Sequence, residues 1–286
     1  MKKKIFLTID IEEWYHLDYL KEYNLVKDKV KTIPRIFDFL DLLDQLNIKA
    51  TFFTLAEIAE ENADIIREIY DRGHEIGCHG LDHELLYYKS DEEFKSQVTQ
   101  AREILNKIIG EEAVIGYRAS CFSMDRNKLD ILMDCGYKYD SSYISFVQHP
   151  LYGNLDLEGF NKIEDLIYER NNFLEFEIPT YQIGKYNIPI SGGGYMRLFP
   201  LWLNKYFINK HLMNNNTFLL YLHPFELTNV NLPLNNEVSS KDKFRALVGR
   251  KKNLKKLEQI LRELINKNVE FKTLAEEYKF HVEKRG

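Results

Sequence analysis

Cysteine is scarce in this chain: Cys78, Cys121 and Cys135 are the only three in 286 residues. The number is odd, the spacings are wide and no CxxC pair occurs, which points away from a disulfide scaffold and toward a reducing compartment. Long apolar runs are also missing, and none approaches the length of a membrane span. The opening "MKKKIFLTIDIEEW" starts as a signal peptide does, but its apolar stretch stops at Asp10, too short for a secretory h-region. The expectation is a cytoplasmic protein, with a peripheral membrane contact left open. An excess of positive charge is absent too: 39 Lys and Arg stand against 44 Asp and Glu, a net charge of −5. That balance argues against general binding to nucleic acid or to anionic membranes. Nor is there a low-complexity segment or a Pro/Gly/Ser linker. The chain therefore reads as one domain over 1–286, with a looser inserted region about 143–215 and a C-terminal helical segment about 241–286.

Strands and helices alternate along the chain. "KKIFLTID" (3–10), "ATFFTL" (50–55), "HEIGCH" (74–79), "VIGYR" (114–118), "YKYDS" and "TFLLYLH" (217–223) read as strands. Helices are expected over 32–48, capped by Thr32, over the stretch closed by Gly73, from Ser90 to Gly110 behind a Ser90/Glu93 capping box, up to Gly136, near 200–213, and over about 241–267. "VEFKTLAEEY" closes the chain as a strand and a short helix. Repeated strand–helix units imply a parallel sheet with helices outside. The fold class is α/β, a (β/α) barrel of seven strands, irregular or incomplete, with a doubly wound open sheet as the alternative.

The polar residues fall at strand ends. Asp10 ends the first strand with Glu12 just beyond it, His79 ends the third, and Arg118, Asp140 and His223 end later ones. In parallel α/β barrels these ends converge on one rim, where sites form. "HGLDH" places His79 and His83 four apart. Alone, that spacing is equally well two solvated loop histidines, and Gly80 stands where a HExxH zinc helix needs its glutamate. His74 starts the same strand and belongs at the opposite end. In "TIDIEEW", residues two apart face one side, so Asp10 and Glu12 point together, one suited to a metal and one to a proton, although a solvated strand exit would account for them, and for Glu13, equally well. Two histidines and a carboxylate form a catalytic zinc set.

On these residues the chain resembles the polysaccharide deacetylase family, the NodB-homology carbohydrate esterases. Five ordered blocks carry the resemblance: "TIDIE" (8–12), "HGLDH" (79–83), "YRAS" (117–120), "YDSS" (139–142) and "YLHPFE" (221–226), with "ATFF" (50–53) beside them. "GGGY" (192–195) and "LHPFE" are similar to a branch associated with bacterial exopolysaccharide loci. Two departures are plain: Ile11 follows Asp10 where the family has a second aspartate, and Ser120 stands in place of a proline. The resemblance implies a barrel of the NodB type that removes an N-acetyl group from an amino sugar in a polysaccharide, an oligosaccharide or a lipid- or nucleotide-linked sugar. It implies a divalent metal, zinc before cobalt or nickel, held by Glu12, His79 and His83. Asp10 is then the base, Arg118 its partner, and His223 the acid. Asp140 would orient His223 or join the Arg118 network. Trp14, Tyr15, His16 and Tyr195 would line a sugar groove or simply pack, and Met196–Arg197 would touch substrate. Competing readings are an O-acetyl esterase, a cyclic amide hydrolase of the allantoinase type, and a carbohydrate-binding module that kept the fold. The partner is a carbohydrate carrying N-acetyl groups; a homo-oligomer is left open.

Overall fold

The computed structural model describes residues 2–146, 151–153, 155–184 and 186–283. Its first strand, β1 (Lys4–Ile11), is buried at all eight positions. A strand covered on both faces needs no polar alternation, and "KIFLTIDI" has the run such a strand requires. The next strands are β2 (Thr51–Thr54), β3 (Glu75–Cys78), β4 (Gly116–Tyr117) and β5 (Tyr139–Asp140). They are followed by β6 (Asn161–Glu164), β7 (Ile167–Arg170), β8 (Phe173–Phe176), β9 (Thr180–Ile183), β10 (Tyr186–Pro189), β11 (Thr217–Leu222) and β12 (Glu270–Lys272). The sheet order is β11-β1-β2-β3-β4-β5-β8-β7-β6. From β11 to β8 the seven strands run parallel, whereas β7 and β6 turn back antiparallel. β12 pairs with the first half of β1, and β2 with the second half.

Two hydrophobic layers follow from alternation along β1. Ile5, Leu7, Ile9 and Ile11 join the large cluster between the strands and the surrounding helices. Phe6 points the other way, into a second cluster with Phe53, Tyr139, Phe176 and Tyr221 that fills the space enclosed by the strands. The enclosure is completed without a β8–β11 ladder. Ile178 donates to Tyr143 O at 2.8 Å, and Tyr221 donates to Ser191 O at 3.1 Å. Parallel bridges Ile144–Ile178 and Gly192–Tyr221 complete the ring. A Cβ on Gly192 would lie 2.4 Å from Tyr221 Oη, so only glycine lets this segment approach. The barrel is therefore α/β and irregular, as the strand count requires. The lower end is plugged by the helix Leu274–Glu283. Its Leu274 joins the inner cluster, Ala275 donates to the buried Glu75 carboxyl at 3.0 Å, and Glu277 pairs with Lys4.

The expected helices form, with corrections. Ser90 accepts from Glu93 N, and Gly110 closes that helix with φ +73°. The 32–48 helix begins as a 3₁₀ turn, Ile33–Arg35, before the α-helix Phe37–Leu46, and the Thr32 side chain does not cap it. The helix expected over 241–267 is broken into Ser240–Leu247 and Asn253–Asn266 by a turn through Gly249, φ +70°. Within the looser region about 143–215, β6–β8 and β9–β10 form hairpins and a helix spans Leu201–Asn214. Residues 147–150, 154 and 185 of that region, and 284–286 of the C-terminal segment, lie outside the described residues.

Two histidines are buried away from the rim. His74 accepts from Ala50 N and His211 contacts Thr217 O at 3.1 Å. Burial pulls both imidazoles down to about 4. A histidine whose folded pKa is depressed contributes stability that is full above its unfolded value, near 6.5, and is lost as the pH falls toward 4. Between pH 7 and about pH 5 each of the two should therefore withdraw about 1–2 kcal/mol of stability. His211→Gln should remove its share, so urea denaturation at the two pH values should show a smaller loss, or a larger gain, on acidification for the variant than for the wild type. An identical pH dependence of the two proteins would contradict the assignment.

Candidate active site

The rim at the C-terminal strand ends gathers the expected residues. β1 delivers Asp10 and then ends; Glu12 N donates back to Asp10 O at 3.0 Å, a tight turn that keeps both carboxylates at the mouth. β3 delivers His79, and the following loop brings His83 beside it. His83 Nε2 lies 2.7 Å from Glu12 Oε2, and His79 Nε2 lies 3.9 Å from the same oxygen. The 2.7 Å contact lacks the alignment of a hydrogen bond, so Glu12 Oε2 is buried without a hydrogen-bond partner. Burial pushes the Glu12 pKa up, but His83, His223 and His79 outweigh it and hold the carboxylate below its usual range.

One ligand atom from each of Glu12, His79 and His83 lies within 4.8 Å of the others. His79 Nδ1 is 2.8 Å from Arg118 O, which places the proton on Nδ1 and leaves Nε2 a lone pair toward Glu12. An orphaned carboxylate oxygen and an oriented imidazole are the donor set that a divalent cation takes. Lys21 steadies the third ligand by donating to His83 O.

Arg118 leaves β4 with no solvent exposure. Its guanidinium donates to Asp10 Oδ1 at 2.7 Å, Thr8 Oγ1 at 2.8 Å, Ser141 O at 3.0 Å and Ser141 Oγ at 2.9 Å. It lies 4.3 Å from the centre of the Phe53 ring. Asp10 is thus held from one side, and its Oδ2 faces His223 Nε2 at 4.0 Å.

His223 follows β11 and sits 3.6 Å from Glu12 Oε1. Its Nδ1 is 2.9 Å from Glu226 Oε2, and Arg197 Nε donates to Glu226 Oε1 at 2.8 Å. Burial pulls the His223 pKa down, but the carboxylates of Glu226, Glu12 and Asp10 outweigh it and raise it to about 9. Glu226 is itself held low, against burial, by Arg197 and His223. A Cβ on Gly193 would meet Glu226 Oε2 at 1.8 Å, so part of the glycine triplet makes room for this carboxylate. Sequence reasoning missed the role of Glu226. The signal was available in "HPFE", a proline at the first helical position with a glutamate at the third, because His223 and Glu226 form a capping box on Pro224–Leu227.

Three expectations are corrected or narrowed. Asp140 does not reach His223 and stands instead beside the Arg118 network: it accepts from Ser142 N and Ser142 Oγ, next to the Ser141 that Arg118 holds, and faces the buried Glu175. The short β5 turns it inward beneath the rim, where burial raises its pKa to about 6. Trp14 lines no groove; it is fully buried, donating to Val30 O at 2.9 Å and packing near Phe225. Arg197 is buried against Glu226 rather than presented to substrate. Tyr195 stands in a cleft of about 310 Å³ that shares Tyr19 and Arg245 with the cavity of about 160 Å³ lined by Asp10, Glu12, His79, His83 and His223. Cys121 lines the same cavity and donates to Asp18. His16 is buried and neutral, its pKa pulled to about 3 by burial.

Comparison with known proteins fits this geometry. Residues 28–139 match the family model "Polysaccharide deacetylase", and residues 141–279 match "Domain of unknown function (DUF3473)". The chain thus carries a polysaccharide deacetylase domain of the NodB type over residues 28–139. Over 71 residues it is 42% identical to a peptidoglycan-N-acetylglucosamine deacetylase of Bacillus cereus, covering 25% of this chain and 26% of that protein. Over 132 residues it is 28% identical to a peptidoglycan deacetylase of Helicobacter pylori, covering 46% and 43%. The chain thus spans less than half the length of these curated relatives. A Mycobacterium smegmatis structure of polysaccharide-deacetylase type superposes over 99% of this chain and 91% of its own, with TM-score 0.65 and 18% identity, a likeness of fold. The boundary between the two matched regions falls inside β5, in the middle of the sheet.

Glu13 has a separate task. Its carboxylate accepts from Thr32 N at 2.8 Å, Thr32 Oγ1 at 2.8 Å and Ile33 N at 3.1 Å, capping the 3₁₀ turn that Thr32 was expected to cap itself. Glu13→Ala would leave these donors buried and unmatched, at a cost of about 2–4 kcal/mol. Urea denaturation of the variant reads this directly; a loss near zero would mean that the turn finds another cap.

Proposed function

We propose that this chain is a divalent-metal-dependent hydrolase that removes the N-acetyl group of an amino sugar. The observation that carries the reading is the buried convergence of Glu12, His79 and His83 beside two separate proton-handling pairs, Asp10 with Arg118 and His223 with Glu226. The Bacillus cereus relative is a peptidoglycan-N-acetylglucosamine deacetylase, which supports N-acetylglucosamine as the sugar; the carrier we propose is a polysaccharide, an oligosaccharide or a lipid- or nucleotide-linked form. Glu12, His79 and His83 would hold the ion, with zinc before cobalt or nickel on this donor set. When bound, such an ion polarises the amide carbonyl and acidifies water.

The chain's own residues supply the rest. Asp10 Oδ1 is engaged by Arg118, which leaves Oδ2 to take the proton of the attacking water. His223 Nε2, oriented through Nδ1 by Glu226, donates the proton that the leaving nitrogen needs. Asp10 Oδ2 and His223 Nε2 lie 4.0 Å apart at the cavity floor, so base and acid are within reach of one reacting amide. An allantoinase-like or binding-module reading is not favoured, because the ligands, the base and the acid are all present. The free thiols Cys78, Cys121 and Cys135 support a reducing, cytoplasmic setting.

Acetate release from N-acetylated sugars should require added metal. Metal analysis of purified His79→Ala and His83→Ala should show occupancy lost while the fold is kept; occupancy equal to wild type would place the metal elsewhere. Asp10→Asn should keep metal and lose roughly 10²–10⁴-fold in rate.

The rate should follow a bell-shaped pH dependence, needing Asp10 ionised and His223 protonated. Activity therefore falls as the pH rises through the His223 pKa. Glu226→Gln removes a carboxylate that raises that pKa, so the alkaline limb should move to lower pH. An unmoved alkaline limb would assign it to a group other than His223.

A further inference from the structure

The net charge of −5 conceals a segment of the opposite sign. Residues 240–256, "SKDKFRALVGRKKNLKK", hold eight Lys and Arg and a single acid, Asp242. Three of the cations are engaged. Arg250 is buried and donates to Phe225 O and Val230 O, Lys256 donates to Met196 O and Phe199 O, and Arg245 lies 4.1 Å from the Tyr19 ring centre with Asp242 at 3.5 Å. The other five, Lys241, Lys243, Lys251, Lys252 and Lys255, are solvent-accessible, and none is in an ion pair with a described residue.

Large apolar side chains stand among them. Phe244 is 59% exposed, Leu247 45% and Leu198 50%. The helix Ser240–Leu247 buries Ala246 and turns Phe244 and Leu247, one turn apart, outward. This face adjoins the catalytic cavity. Tyr19 and Arg245 line both that cavity and the neighbouring cleft, Phe244 and Leu198 line the cleft, and Leu198 continues into a trough of about 610 Å³ bordered by Lys252 and Lys255.

We infer that this basic and apolar face docks on an anionic lipid bilayer, with the mouth of the catalytic cavity beside the membrane surface. Lysines in a cluster are drawn to an anionic leaflet, each strengthening binding by roughly fivefold. Exposed Phe and Leu between them enter the boundary between headgroups and acyl chains. A soluble polyanion would use the lysines and gain nothing from Phe244, Leu247 and Leu198, so the mixed chemistry favours a bilayer. The overall charge balance, which argues against anionic membranes, averages over a surface whose basic residues are concentrated at the rim of the site. Docking here would present a lipid-anchored sugar to the cavity, and the contact itself depends neither on the metal nor on the proposed reaction.

The test is sedimentation of the full chain with vesicles of phosphatidylcholine alone and of phosphatidylcholine mixed with phosphatidylglycerol, at low and high salt. The protein should pellet with the anionic vesicles at low salt, and little with the neutral ones. Combined Lys251→Gln, Lys252→Gln and Lys255→Gln should weaken binding about a hundredfold. Combined Phe244→Ser and Leu247→Ser should weaken it at least about tenfold. All five positions are exposed, so thermal melts of both variants should match wild type, and each variant reads the surface independently. Failure to pellet with anionic vesicles overturns the inference. So does pelleting that the Phe244/Leu247 variant retains and that soluble polyphosphate abolishes, which would make the face a polyanion site.

Discussion

A guanidinium without solvent sets the terms at the mouth of this barrel. Removing a charge from water costs several kcal/mol unless its partners are close and well aligned. Arg118 meets that condition by drawing on β1, through Thr8 and Asp10, and on the chain just after β5, through Ser141. The same contacts that make its burial tolerable fix Asp10. One carboxylate oxygen is committed to Arg118 and the other is aimed at His223. The strand ends are thereby tied together where the chemistry is proposed, and a base held by a buried cation needs no rearrangement before it acts.

Two other carboxylates at the rim are specialised by their neighbours. Glu12 and Glu13 are adjacent and chemically equivalent, yet Glu13 meets the N–H groups of a 3₁₀ turn and Glu12 meets three imidazoles. The structure uses one as a cap and leaves the other with an unsatisfied oxygen, the state in which a cation is welcome. Glu226 repeats the logic of Asp10. A buried arginine, Arg197, holds one oxygen, and the other orients His223. The site is thus two arginine–carboxylate pairs, from opposite halves of the chain, on either side of a cluster of potential ligands.

The sequence made the strand ends legible because polar residues there interrupt apolar runs, and the ordered blocks carried the metal-ligating and proton-transfer candidates. Which of its two courses Asp140 takes is not legible, because a residue at a strand end can turn toward the rim or into the barrel, and its neighbour Glu175 lies on a strand that chain order does not place beside it. Trp14 was misjudged because an aromatic near a site is as readily a wedge in the core. The closure of the barrel through 178–179 and 190–192 rests on isolated hydrogen bonds, which leave no periodic pattern to read. The basic face was hidden by averaging, since net charge says nothing about where the lysines stand.

X-ray absorption of the zinc-loaded protein tests, without reference to activity, whether Glu12, His79 and His83 form one ligand set. The expected result is light-atom scattering at about 2.0–2.2 Å with the multiple-scattering signature of two imidazoles and no sulfur. A sulfur shell at about 2.3 Å, which only a cysteine such as Cys121 could supply, would contradict it.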